Sequence, residues 1–151
     1  MRRKRGPAVA VAVLGLSFAL GFGATAANAA TVDGNTMVNS LSGKTYNSYN
    51  RITTFSDTPG AGAIARSCVT SGTSPAGNIG AKPRLFKGTA LYAQADIVYS
   101  SSSVPAGSCY QRQINGYGNG SWYSHGWVTL WNTATSGYVT ANIARSPSLN
   151  T

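Results

Sequence analysis

The chain has 151 residues, with twelve Lys and Arg against three Asp, no Glu and a single His, for a formal net charge of +9. This composition serves long amphipathic helices poorly, because Glu is absent and Leu is scarce. It is also poor material for paired-carboxylate hydrolysis, and for a zinc site, which normally takes four Cys, His or carboxylate ligands.

The N-terminus reads as an export signal. "MRRKR" is a basic start, "PAVAVAVLGLSFALGFGA" is an apolar run, and Ala27 and Ala29 supply the small residues of a cleavage site. Residues 1–29 are expected to be a secretory signal peptide and residues 30–151 a single all-β domain, secreted to the cell exterior. No second long apolar run follows, so no stable membrane insertion is expected after signal removal. Losing Arg2, Arg3, Lys4 and Arg5 leaves eight basic residues against Asp33, Asp57 and Asp96, so 8 − 3 = +5. A sparsely basic surface favours anionic partners. The positives are scattered apart from a loose patch at Lys82, Arg84 and Lys87, and no Arg/Lys run of the kind that marks specific nucleic-acid binding is present.

Short candidate strands follow in order: "NTMVNSL", "YNRITTF", "AIARSCVT" and "KPRLFK", separated by turn clusters such as "SDTPGAG" and "SGTSPAGN". The strongest is "ALYAQADIVY", where Leu91, Ala93, Ala95, Ile97 and Tyr99 alternate with Tyr92, Gln94, Asp96 and Val98, and the first set reads as one buried face. The serine run 100–103 is a loop. "GSCYQRQI" is the next strand. Its Cys109 and the earlier Cys68 are an even pair in an exported chain, which predicts a disulfide. Closing that loop contributes ~4 kcal/mol on the chain-entropy estimate.

The segment "INGYGNGSWYSHGWVTLW" holds the sole histidine and all three tryptophans. "NGYGNGSWYSHG" reads as a turn-rich loop presenting Tyr117, Trp122 and Tyr123. "GWVTLWN" and "GYVTANIA" read as a hairpin. One face carries Val128, Leu130, Val139, Ala141 and Ile143 and looks like core. The other carries Trp127, Thr129, Trp131, Tyr138, Thr140 and Asn142. If Trp131 opposes Tyr138, then Thr129 opposes Thr140 and Trp127 opposes Asn142. That second face either packs on another sheet or lies open as an aromatic strip, and aromatic strips stack on sugar rings or apolar partners. Many short strands with frequent turns imply a small barrel or sandwich of antiparallel strands with one disulfide.

Catalytic material is thin. "YSHGW" is similar to the "SHG-Cys" signature of L,D-transpeptidases, but Trp127 stands where the nucleophilic thiol belongs and Thr129 where an arginine belongs, so no acyl-enzyme can form. Ser124 and His125 are adjacent and point to opposite faces of a strand, and no G-x-S-x-G elbow exists. No cofactor and no metal are expected.

Residues 88–145 resemble bacterial SH3-type (SH3b) modules. "GTALYAQADIVYSSSSVPAGSCYQR" looks like that family's first strand, loop and "lPaGt" turn. "INGYGNGSWYSHG" looks like its G-N-x-x-W-Y segment, and "GYVTANIAR" like its terminal strand. At Leu91 to Asp96 the chain has "LYAQAD" where the family has "LNVRSGPS". The resemblance implies a small β-barrel that binds cell-wall peptides or glycans without catalysis, with Trp122, Tyr123 and Tyr138 at its aromatic positions. The expected function is therefore non-catalytic binding at the bacterial cell envelope, to peptidoglycan or polysaccharide. Tyr117, Trp122, Tyr123, His125, Trp127 and Tyr138 would make contact, and Lys82, Arg84 and Lys87 would supply charge. Two alternatives stand beside it: a secreted antimicrobial or inhibitor polypeptide, and a small secreted hydrolase using His125.

Overall fold

In the computed structural model, residues 29–151 are described. The expected signal segment, residues 1–29, lies outside them except for Ala29. Fifteen strands and no helix occur among the described residues. The first third holds β1 (Thr31–Asp33), β2 (Met37–Leu41), β3 (Lys44–Thr54) and β4 (Gly60–Ser71). Then come β5 (Thr73–Ser74), β6 (Ile79–Lys82), β7 (Arg84–Lys87), β8 (Ala90–Gln94), β9 (Val98–Tyr99) and β10 (Val104–Pro105). The remainder is β11 (Cys109–Tyr117), β12 (Ser121–Ser124), β13 (Trp127–Asn132), β14 (Gly137–Ala141) and β15 (Leu149–Asn150).

The strands form a sandwich. The first layer has the order β1-β3-β4-β11, with β2 sharing the outer edge of β3 beside β1. The second layer is two four-stranded sheets, β14-β13-β6-β9 and β15-β12-β7-β8. They are halves of one kinked layer. The chain passes from β6 to β7 through Pro83 alone, and from β12 to β13 through His125 and Gly126. Proline cannot donate to a ladder, and the His125 N–H instead bonds the Arg84 carbonyl at 3.0 Å. At Gly126 a Cβ would fall on the Lys82 carbonyl and Pro83 Cα, so only glycine lets the two crossings lie this close.

Each half of the second layer packs on its own part of the first. Tyr46, Ala65 and Val69 meet Ile79, Ala81, Val128, Leu130, Ala141 and Ile143 in one apolar cluster. Ile52, Ala61 and Ala63 meet Leu85 and Trp122 in the other. Between them lies a polar seam of fully buried Ser48, Asn50, Ser67 and Ser124. The Asn50 amide donates towards the carbonyls of Gly126, Ile143 and Ala144 at 3.2, 3.2 and 2.9 Å, and its oxygen accepts from the Gly126 N–H at 2.8 Å. Asn50 thus closes the backbone groups that the kink releases from the ladder.

The all-β class and the disulfide are as the sequence predicts: Cys68 and Cys109 are bonded and sit opposite one another on β4 and β11. The architecture is a sandwich, not a closed barrel. In the hairpin Trp131 lies opposite Tyr138 and Thr129 opposite Thr140, but the expected Trp127–Asn142 pair is not formed: β14 ends at Ala141, and Trp127 pairs with Lys82 on the other side. Four further details differ. "ALYAQADIVY" is broken at 95–97, where the kink crosses it, and its expected core face is not buried: Leu91 and Tyr99 are exposed. Val139, expected in the core, is exposed at the layer edge. The segment 115–126 is largely strand, with only Gly118–Gly120 between β11 and β12. Finally, the C-terminal residues pair as β15 with β12, Leu149 opposite Trp122.

Candidate functional site

Strand alternation divides the second layer into two faces. Leu85, Trp122, Ser124, Val128 and Leu130 point inward and are buried. Phe86, Tyr123, His125, Trp127 and Trp131 therefore share the outward face, with Lys82 and Arg84 among them.

Their contacts form a continuous ladder of cations and rings. Tyr123 and Phe86 are cross-strand partners on β12 and β7, stacked at 4.8 Å with planes 5° apart. The Arg145 guanidinium covers the other face of this pair, 4.8 Å from the Tyr123 ring. Arg84 lies 5.0 Å from the Phe86 ring and 5.3 Å from Trp127, and Lys82 Nζ lies 5.0 Å from Trp127. Lys82 and Trp127 are cross-strand partners, which accounts for that contact. His125 leans on Phe86 at 6.3 Å. Cation–ring contacts of this kind contribute roughly 0.5–1 kcal/mol each at exposed sites, so the ladder holds its side chains in place more than it stabilises the fold.

The site is electropositive. Among the described residues the one ion pair is Arg51–Asp33, on the other layer. The groups acting on His125 are both cationic: partial burial, then repulsion from Arg84 and Arg145, lowers its pKa below the ordinary 6.5. It is therefore mostly neutral at pH 7. Nε of Arg84 is buried and has no hydrogen-bond partner among the described residues.

A second aromatic group lies further along β13. Trp131 meets Tyr138 edge-on at 5.0 Å, and Tyr138 meets Tyr99 at 4.6 Å. The Tyr138 hydroxyl donates to the Gly77 carbonyl at 2.7 Å. Burial, then Tyr99, raises its pKa. Tyr99 lies beside Gly80, where a Cβ would meet its ring at 2.8 Å.

The residues expected to bind thus separate. Tyr123, His125, Trp127, Lys82 and Arg84 come together, and Tyr138 lies on the same face. Trp122 does not join them. It is 0% exposed, its Nε1 donates to the Thr151 hydroxyl at 3.2 Å, and Lys87 and Tyr92 cover its ring. An enclosed indole offers no face for stacking, so Trp122 is a core residue and Lys87 its cover. Tyr117 is exposed but pairs with Phe55 at 5.7 Å. It borders a separate opening formed with residues of the 54–58 loop. The sequence reading missed Phe86, Arg145 and Tyr99 as site residues. Phe86 had one available signal: an aromatic between two basic residues in "RLFK".

Ser124 is turned away from His125. Its hydroxyl lies 3.3 Å from the Asn50 side-chain oxygen and 3.4 Å from the Ile64 carbonyl, in the buried seam. The arrangement is suited to holding a ligand by stacking and charge. Comparison with protein-family models, curated proteins and solved structures finds no match, so the site is read from its own geometry.

Proposed function

We propose that this is a secreted, non-catalytic binding protein of the bacterial cell envelope that holds a wall polymer on the outward face of the kinked layer. The observation that carries the reading is the outward ladder Arg145–Tyr123–Phe86–Arg84–Trp127–Lys82, in which the half-buried rings of Tyr123 and Trp127, suited to stacking on sugars, are held over a buried Phe86 beside cations that have no acidic partner. The export signal expected at residues 1–29 and the resemblance of residues 88–145 to SH3-type wall-binding modules support it. Trp127 and Tyr123 supply stacking surface, and Arg84, Lys82 and Arg145 supply attraction for acidic groups.

The test is retention of the mature protein on purified insoluble Gram-positive walls at low and high salt, with Trp127→Ala and Arg84→Ala beside the wild type. Retention that persists in salt and falls in Trp127→Ala supports the reading. Retention lost in salt and unaffected by Trp127→Ala reduces it to bulk charge. No retention overturns it, and growth inhibition or vesicle leakage by the same protein would then favour an antimicrobial polypeptide.

A further inference from the structure

The outward face carries two aromatic stations on one line. The first is the cation–ring ladder around Tyr123, Arg84 and Trp127. The second is Trp131, Tyr138 and Tyr99, with Tyr138 43% and Tyr99 37% exposed. Trp127 and Trp131 lie four residues apart on one strand, a separation of ~13 Å. Tyr123 lies a further four residues back across the kink. Between the stations Thr129 faces Gly80 across the β13–β6 ladder, and the Tyr99 ring of the second station lies against Gly80, so the aromatic surface continues towards the first station. The two ends differ in charge. Lys82, Arg84 and Arg145 all belong to the first station, and the second holds only neutral rings.

We infer that the ligand is an extended acidic polysaccharide lying along β12 and β13 and engaging both stations at once. The inference rests on the proposed binding role and names its ligand. A polymer charged at every unit would gain little from the neutral station, and a neutral glycan would leave three cations unanswered. A chain in which acidic sugars alternate with uncharged ones answers both. One molecule spanning two stations also gains from effective concentration, so affinity should rise steeply once the chain is long enough to reach from one to the other.

Hyaluronan fragments, in which acidic and neutral sugars alternate, serve as graded probes for calorimetric titration. The disaccharide, too short to bridge the ~13 Å between the stations, should bind weakly, and the decasaccharide at least about tenfold more tightly. The double variant Trp131→Ala/Tyr138→Ala should lose that gain while binding short fragments as the wild type does. An unchanged melting temperature would show that its fold is intact. Equal affinity for all lengths, or a length gain that survives in the double variant, overturns the inference. So does wall retention that depends on Trp127 without any binding of these fragments, and that result leaves the envelope-binding role standing. Absence of wall retention removes the role itself, and the inference with it.

Discussion

Replacing Asn50 by Ala removes the side chain that bonds the backbone of Gly126, Ile143 and Ala144 at the kink. Its two amide protons have three carbonyls within reach, so two of those bonds hold at full strength at a time. With the Gly126 N–H, about three buried backbone groups lose their partner. Each unsatisfied group costs ~1–3 kcal/mol, and allowing for relaxation the sum is about 3–6 kcal/mol. That is a large part of the ~6–18 kcal/mol expected for a domain of this length. In urea unfolding followed by tryptophan fluorescence, the midpoint should fall by about 2 M with the slope unchanged. Asn50→Asp keeps the acceptor but turns a carboxylate towards the Ile143 and Ala144 carbonyls. It should be at least as destabilising at neutral pH and partly recover in acid. Ser124→Ala, which removes only bonds of 3.3 and 3.4 Å, should cost about 1 kcal/mol. A loss below about 1 kcal/mol for Asn50→Ala would refute the assignment of Asn50 as the closure of the kink.

Further outcomes follow from the same geometry. Trp122→Ala should cost ~3–5 kcal/mol by emptying a core site, whereas Trp127→Ala should cost about 1 kcal/mol or less and act on binding; thermal melts of the two variants compare them directly. Reducing Cys68–Cys109 should remove ~4 kcal/mol, read as a lower urea midpoint in reductant and no such shift in a Cys68→Ala/Cys109→Ala variant. His125 protonates less readily folded than unfolded, so its contribution to stability is complete above pH 6.5 and is lost as pH falls through the lower folded value. Protonation also adds a cation beside Arg84 and Arg145, so affinity for an acidic ligand should rise over the same fall in pH, and His125→Gln should flatten both profiles. Asp33 behaves similarly further into acid: its hydrogen bond to Arg51 holds its pKa below 3.8, and the stability it provides above 3.8 is lost as pH falls through that lower value.

The hairpin of β13 and β14 shows what local sequence determines. Alternation of Val128 and Leu130 with Trp127 and Trp131, followed by a short polar link, is enough to sort the directions of the β13 side chains, because side-chain direction in a strand has period two, but it does not say that Thr129 is covered and Val139 left exposed. The same rule failed at residues 90–99. There the alternation is intact, but the strand lies at the edge of a kinked layer, and the kink is made by Pro83 and Gly126 on neighbouring strands.

Composition and local pattern thus determined the all-β class, the disulfide and the clustering of aromatics around His125. Tertiary structure alone decided which of those aromatics face water. Trp122 and Tyr123 are adjacent and chemically alike, yet one is sealed under Lys87, Tyr92 and the C-terminal strand while the other turns to the outward face and, half-buried, stacks on Phe86. Their fates diverge because successive strand residues point to opposite faces, and only the packing of one layer on the other says which face is the interior. The ladder itself joins residues from β6, β7, β12, β13 and the segment before β15, and no window along the chain brings those together.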